Sequence, residues 1–278
     1  MLGRDAFPRF ILTPDSWILN TIISICFVLR YSSFEFNPED PVNPVEYQLS
    51  NLTPYSNYRL ILPYAGPYFA YVGIATLFSG LPAEWNYLLR IAAVSIFLGW
   101  AWRWYVPLKG PKNISLSVIY GVLVGIVGTV LWIVALVPLV DTSAPAWTGL
   151  SFSLRLLAAT LLVPIFEELF IRVFIFRIAY QWFNEKKQNN HALEDVMQNQ
   201  SIDAVRPGEW NYFAVIFSTV AFALGHQVVE WPAALIYGLL MVLLWIVRKD
   251  IISCIVAHGT TNLAIGIYVH RTQSWGLW

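Results

Sequence analysis

The chain has 278 residues, 57% of them hydrophobic and only 12% charged, and its formal net charge is +0. Soluble domains run nearer half apolar and a quarter charged. The composition therefore points to an integral membrane protein, and the neutral balance gives no basis for a nucleic-acid partner. Cys26 and Cys254 both lie in apolar runs and support no disulfide framework. The opening "MLGRDAFPRFILTPDS" places Asp5, Pro8 and Pro14 where a cleaved signal peptide keeps an unbroken apolar core, so no cleaved signal is expected.

A membrane-spanning helix needs about 20 mostly apolar residues. The first apolar run, Trp17–Leu29, is short for a span and reads as an interfacial helix. The Pro-, Asn- and Tyr-rich tract after it reads as an extramembrane loop, so residues 1–59 form an amino-terminal region and 60–278 a transmembrane bundle. Spans are expected at Leu60–Gly80, Tyr87–Tyr105, Ser115–Leu139, Phe152–Phe176, Asn211–His226, Ala233–Val247 and Ile251–Val269. The fold expected is all-α, a polytopic transmembrane helix bundle of about seven spans. The fifth and sixth are short and joined by "QVVEWP", a tight hairpin.

Positive charges favour cytoplasmic loops. Arg103, Lys109 and Lys112 follow the second span, Arg177, Lys186, Lys187 and Arg206 the fourth, and Arg248 and Lys249 the sixth. These loops alternate with ones around Glu84, Asp141 and Glu230 that carry no Lys or Arg. Seven spans then put the basic loops inside and the carboxyl terminus outside. Residues 181–209 read as a polar cytoplasmic loop in which His191 is solvated. "WRWY" and "WGLW" near span ends read as an interfacial aromatic belt.

One stretch breaks the apolar pattern. "VPIFEELFIRVFIFR" holds Glu167, Glu168 and Arg172 inside the fourth span. An ionised group in hydrocarbon costs at least a few kcal/mol and usually marks function. On a helix Glu168 and Arg172 share a face and can pair, which leaves Glu167 without a partner in its own segment. The plain alternative is that both acids only join helices. His226 ends the fifth span one turn after Phe222, and Cys254, His258 and Asn262 form a four-residue-spaced stripe on the seventh. A bundle can gather such groups at its centre. Cys254 with His258 as base is a second enzyme reading, but a cysteine in an apolar helix is ordinarily an inert packing residue. A proton relay in a transporter is a third.

Taken together, "EELFIR" (EExxxR), "FALGH" (FxxxH) and "HGTTN" (HxxxN) resemble the CAAX protease and bacteriocin-processing (ABI) family of intramembrane endopeptidases over about residues 150–265. The layout is also similar to exosortase-linked bacterial members. The resemblance implies a peptidase with its site on the fourth, fifth and seventh spans. Glu167 would act as general base and His226 would help hold the water. His258 and Asn262 would stabilise the oxyanion, with Glu168, Arg172 and Phe222 standing behind them. It implies a membrane-associated peptide substrate, either prenylated or carrying a C-terminal sorting tag, and residence in a bacterial inner membrane. Some relatives act as scaffolds. No cofactor is expected. Zn²⁺ would need Glu167, His226 and His258, and the chain has no HExxH to place two ligands on adjacent turns.

Overall fold

The computed structural model describes residues 55–187 and 191–278. The run Trp17–Leu29 and Cys26 lie outside the described residues. Within them the chain is helical, and each expected span appears as a helix. These are α1 (Asn57–Leu77), α2 (Ala83–Ala101), α3 (Ile114–Leu136), α4 (149–185), a short α5 (Ala192–Asn199), α6 (Tyr212–Leu224), α7 (Trp231–Arg248) and α8 (Ile251–Thr272).

Local chemistry explains the starts. Asn113, Thr148, Asn211 and Asp250 each accept a backbone N–H of the following first turn, at α3, α4, α6 and α8. Lys249 takes the left-handed conformation (φ 61°) that ends α7 and allows α8 to begin two residues later. Four segments are long and apolar enough to cross a membrane unaided: Asn57–Leu77, Ile114–Leu139, Val228–Arg248 and Ile251–Thr272. Helices α2 and α4 carry charge that the bundle must shelter. Helix α6 is 13 residues long, about 20 Å at 1.5 Å per residue, against a hydrocarbon core of about 30 Å.

The exposed large side chains of α3 include Leu116, Ile119, Leu123, Ile126, Val130 and Val134. They form the lipid-facing side. The opposite side of α3 packs on α8 through small residues. A Cβ at Gly125 would stand 2.6 Å from the Ala257 carbonyl oxygen, and the Thr261 hydroxyl donates to the Gly125 carbonyl at 2.8 Å. Only glycine lets the two backbones approach this closely. At one end Arg248 donates to the Asn113 carbonyl and to Ser117, whose hydroxyl donates to Asp250. That locks the α7–α8 turn onto the start of α3. At the other end Ser151 and Thr148 donate to Glu84, and Gly276 N–H donates to the Thr142 carbonyl. The acidic connections and the carboxyl terminus thus share one end, as expected from the charge pattern.

Two expectations need correction. The tract 181–209 is not simply a solvated loop. It contains the end of α4 and all of α5, and Trp182, Ala192 and Val196 pack together. Asn57 donates to Gln181 and to the Val196 carbonyl, tying this tract to α1. His191 is exposed at the residue preceding α5. "WGLW" is not a lipid-facing belt either. Trp275 and Leu277 are buried against Phe152, and the Trp278 ring flanks the Arg155 guanidinium. Trp102, by contrast, is 57% exposed, as a belt residue would be.

Candidate active site

Helix α4 is the scaffold of the site. Its backbone runs unbroken from Gly149 to Glu185 but switches to π-helix at Ala158–Leu162 and again at Leu169–Ile175. The two wide turns bracket Glu167 and Glu168. A π turn adds a residue to the helical repeat, redirects the side chains on either side of it, and is frequent at functional sites.

Glu168 is fully buried and shared by two cations or donors. Its Oε2 lies 3.5 Å from Arg172 Nε, and its Oε1 2.9 Å from His258 Nδ1. The expected i,i+4 pair is therefore present, with both side chains 0% exposed. Arg172 also reaches the Gly238 carbonyl of α7, 3.5 Å from Nη2, and its guanidinium lies 5.1 Å from the centre of the Phe222 ring. One arginine thus touches α4, α6 and α7.

Glu167 points elsewhere, as its position a quarter turn away dictates. It is 17% exposed, and its Oε2 lies 3.9 Å from His258 Nε2. His258 therefore stands between the two glutamates, with a nitrogen toward each. Phe222 and Tyr237 wall the imidazole at ring-centre distances of 6.0 and 5.9 Å. Gly259 explains how α8 comes so near. A Cβ there would stand 2.7 Å from the Thr160 carbonyl oxygen, inside the first π segment.

His226 lies just beyond α6, after Gly225, with its ring 4.6 Å from Phe222 and 5.3 Å from Trp132. Its Nδ1 pairs with the Phe222 carbonyl at 2.9 Å. Drawn as a full-length span, α6 would carry His226 to a membrane surface. Being short, it stops beside the same Phe222 and Tyr237 rings that enclose His258. Asn262 is half-buried on the same face of α8, and its amide donates to the Ala159 carbonyl of the first π segment at 2.8 Å. Cys254 is fully buried, with its thiol toward the backbone carbonyls of Met241 and Asp250 and away from the histidine nitrogens.

These partners fix where the ring protons sit. A carbonyl oxygen only accepts, and so does a carboxylate held by an arginine. In both neutral histidines the proton is therefore assigned to Nδ1, from the hydrogen-bond network. Each then presents an unprotonated Nε2. The residues that would hold Zn²⁺ are Glu167, His226 and His258. Among the described residues, however, no three His, Cys, Asp or Glu side chains group at metal-ligand spacing.

Residues 149–264 match the family model described as Rce1-like, type II CAAX prenyl endopeptidase. That segment is thus similar to CAAX-type prenyl endopeptidases, within a chain whose apolar helices fit a membrane protein. The matched segment opens at the capped start of α4 and closes two residues beyond Asn262, so it contains every motif residue that the resemblance named. Helices α1, α2 and α3 lie outside it. No curated protein and no solved structure matches the chain.

Sequence reasoning missed the residues that surround the matched segment from those outer helices. Trp132 of α3 lies against both His226 and Tyr237. Tyr68 of α1 lies over the Phe166 and Phe170 rings that flank the glutamate pair. Both were hidden in apolar runs, Tyr68 among several other aromatics, with no spacing signal to single them out.

Proposed function

We propose that the protein is an intramembrane endopeptidase that hydrolyses a peptide bond of a membrane-associated substrate with a water activated by Glu167. The substrate class is a prenylated CAAX-type C-terminus or a related C-terminal sorting tag, and the setting is a bacterial inner membrane. The observation that carries this reading is the disposition of the two adjacent acids. Glu168 is spent on Arg172 and on orienting His258, while Glu167 is left partly exposed and facing His258 Nε2.

The chemistry follows from that division. A water bound beside Glu167 donates one proton to its carboxylate and the other to His226 Nε2, which turns a lone pair toward the scissile carbonyl. Attack transfers the first proton to Glu167. The carboxylic acid so formed later protonates the leaving amine, as general acid–base catalysis requires. His258, held by Glu168, faces the developing oxyanion and in its protonated form donates to it from Nε2. Low polarity around the site strengthens these interactions. No step is routed through a metal.

The competing readings are a proton-coupled transporter and a non-catalytic scaffold using the same buried cluster. They separate in one comparison. Purified protein in detergent should cleave a fluorescence-quenched, prenylated CAAX-box peptide, and liposomes containing it should show no substrate flux driven by a pH gradient. Flux without cleavage would support the transporter. Neither activity would support the scaffold.

A further inference from the structure

The proposed hydrolysis leaves the tetrahedral intermediate short of donors. Both neutral histidines present unprotonated Nε2 atoms, because their Nδ1 protons are held by Glu168 and by the Phe222 carbonyl. One N–H of the Asn262 amide is engaged with the Ala159 carbonyl, which leaves at most its second N–H as a donor. His258 supplies a donor only when protonated, and an oxyanion site ordinarily uses more than one.

Tyr68 fills this gap from outside the family-matched segment. It sits at the middle of α1 and is 8% exposed. Its ring lies 5.4 Å from Phe170 and 6.2 Å from Phe166, the residue preceding Glu167. A Cβ at Gly225 would lie 3.0 Å from the Tyr68 hydroxyl oxygen, so that hydroxyl reaches the residue preceding His226. Glycine at 225 is what leaves the hydroxyl its place. Among the described residues the Tyr68 hydroxyl makes no hydrogen bond. A phenol O–H set against Gly225, next in sequence to the second histidine, on a ring packed against Phe166 and Phe170, is placed to donate to something that arrives.

We propose that Tyr68 is a catalytic residue of this site, its hydroxyl donating a hydrogen bond to the oxyanion of the tetrahedral intermediate. This rests on the Glu167 mechanism above. Water oxygen bonds to the carbonyl carbon as its proton passes to Glu167, and the carbonyl π pair moves onto oxygen, where Tyr68 O–H and protonated His258 meet it. The pair returns as the C–N bond breaks, and Glu167 gives its proton to the amine nitrogen. Tyr68 keeps its own proton throughout. Helix α1 thereby supplies a piece of chemistry that the EExxxR, FxxxH and HxxxN motifs do not encode.

The test is Tyr68→Phe, which deletes one oxygen and preserves the aromatic packing. Assayed on the quenched, prenylated CAAX-box peptide, kcat should fall by about 10²–10³-fold, the loss typical of one oxyanion donor. KM should change little, because the interaction is made in the transition state. The melting temperature should match wild type, since the hydroxyl holds no protein partner. Unchanged kcat, or a raised KM with kcat intact, overturns the proposal, as does a lower melting temperature with kcat per folded molecule preserved. Glu167→Gln run alongside separates the two failures. If Glu167→Gln is inactive and Tyr68→Phe fully active, only the role of Tyr68 falls. If Glu167→Gln is active, the mechanism beneath it falls.

Discussion

Arg172→Ala is the perturbation whose cost can be worked out most fully. Arg172 and Glu168 are both 0% exposed and sit 3.5 Å apart. Truncating the arginine removes the charge that compensates a buried carboxylate. Breaking such a pair costs about 3–5 kcal/mol, because the surviving charge stays desolvated. The guanidinium also lies 5.1 Å from the Phe222 ring centre, a desolvated cation–π contact worth about 2 kcal/mol. The contact to the Gly238 carbonyl, at 3.5 Å, adds little. Because Arg172 joins α4 to α6 and α7, the loss should appear as lower yield and a lower melting temperature of the detergent-purified protein. A double-mutant cycle with Glu168→Gln sharpens the test. The double variant should be less destabilised than the sum of the singles, since it leaves no unpaired charge. It should still be impaired in catalysis, because His258 loses the carboxylate that orients it. An Arg172→Ala protein with wild-type melting temperature and no activity would refute the structural reading and move Arg172 into the reaction.

Asn262→Ala separates packing from catalysis. The Ala159 bond predicts a small stability loss, about 0.6 kcal/mol for an average interhelical bond in a membrane protein, with kcat per folded molecule kept. A fall in kcat and kcat/KM by equal factors, with KM and melting temperature unchanged, would place Asn262 at the oxyanion, as the family resemblance implies. Activity should survive prolonged chelation, because the chain has no HExxH to place two ligands on adjacent turns. Stoichiometric zinc whose removal abolishes activity and whose return restores it would contradict that.

Much of the bundle could be read from composition alone, because hydrocarbon demands long apolar helices and four of them left runs long and apolar enough to cross. The charged residues of α4 were legible for the complementary reason, that nothing else in the run explains them. Spacing predicted the Glu168–Arg172 pair. What sequence spacing could not supply was rotation and depth. The π segments at Ala158–Leu162 and Leu169–Ile175 have no local signature. The assignment of Glu168, rather than Glu167, to His258 Nδ1 needed the packed bundle. The depth of His226 depends on where the short α6 ends, which spacing alone does not give. The packing of α5 on Trp182 and of Trp275 on Phe152 were tertiary effects on segments that read as polar loop and membrane belt.

The central claim is that Glu167 activates the water while its neighbour does not. The most direct measurement is kcat of purified Glu167→Gln on the quenched, prenylated CAAX-box peptide, with the melting temperature taken on the same sample. A lost general base predicts a fall of about 10²–10⁴-fold with wild-type melting temperature, since Glu167 makes no buried ion pair like that of Glu168. Near wild-type turnover by a folded Glu167→Gln protein would contradict the account.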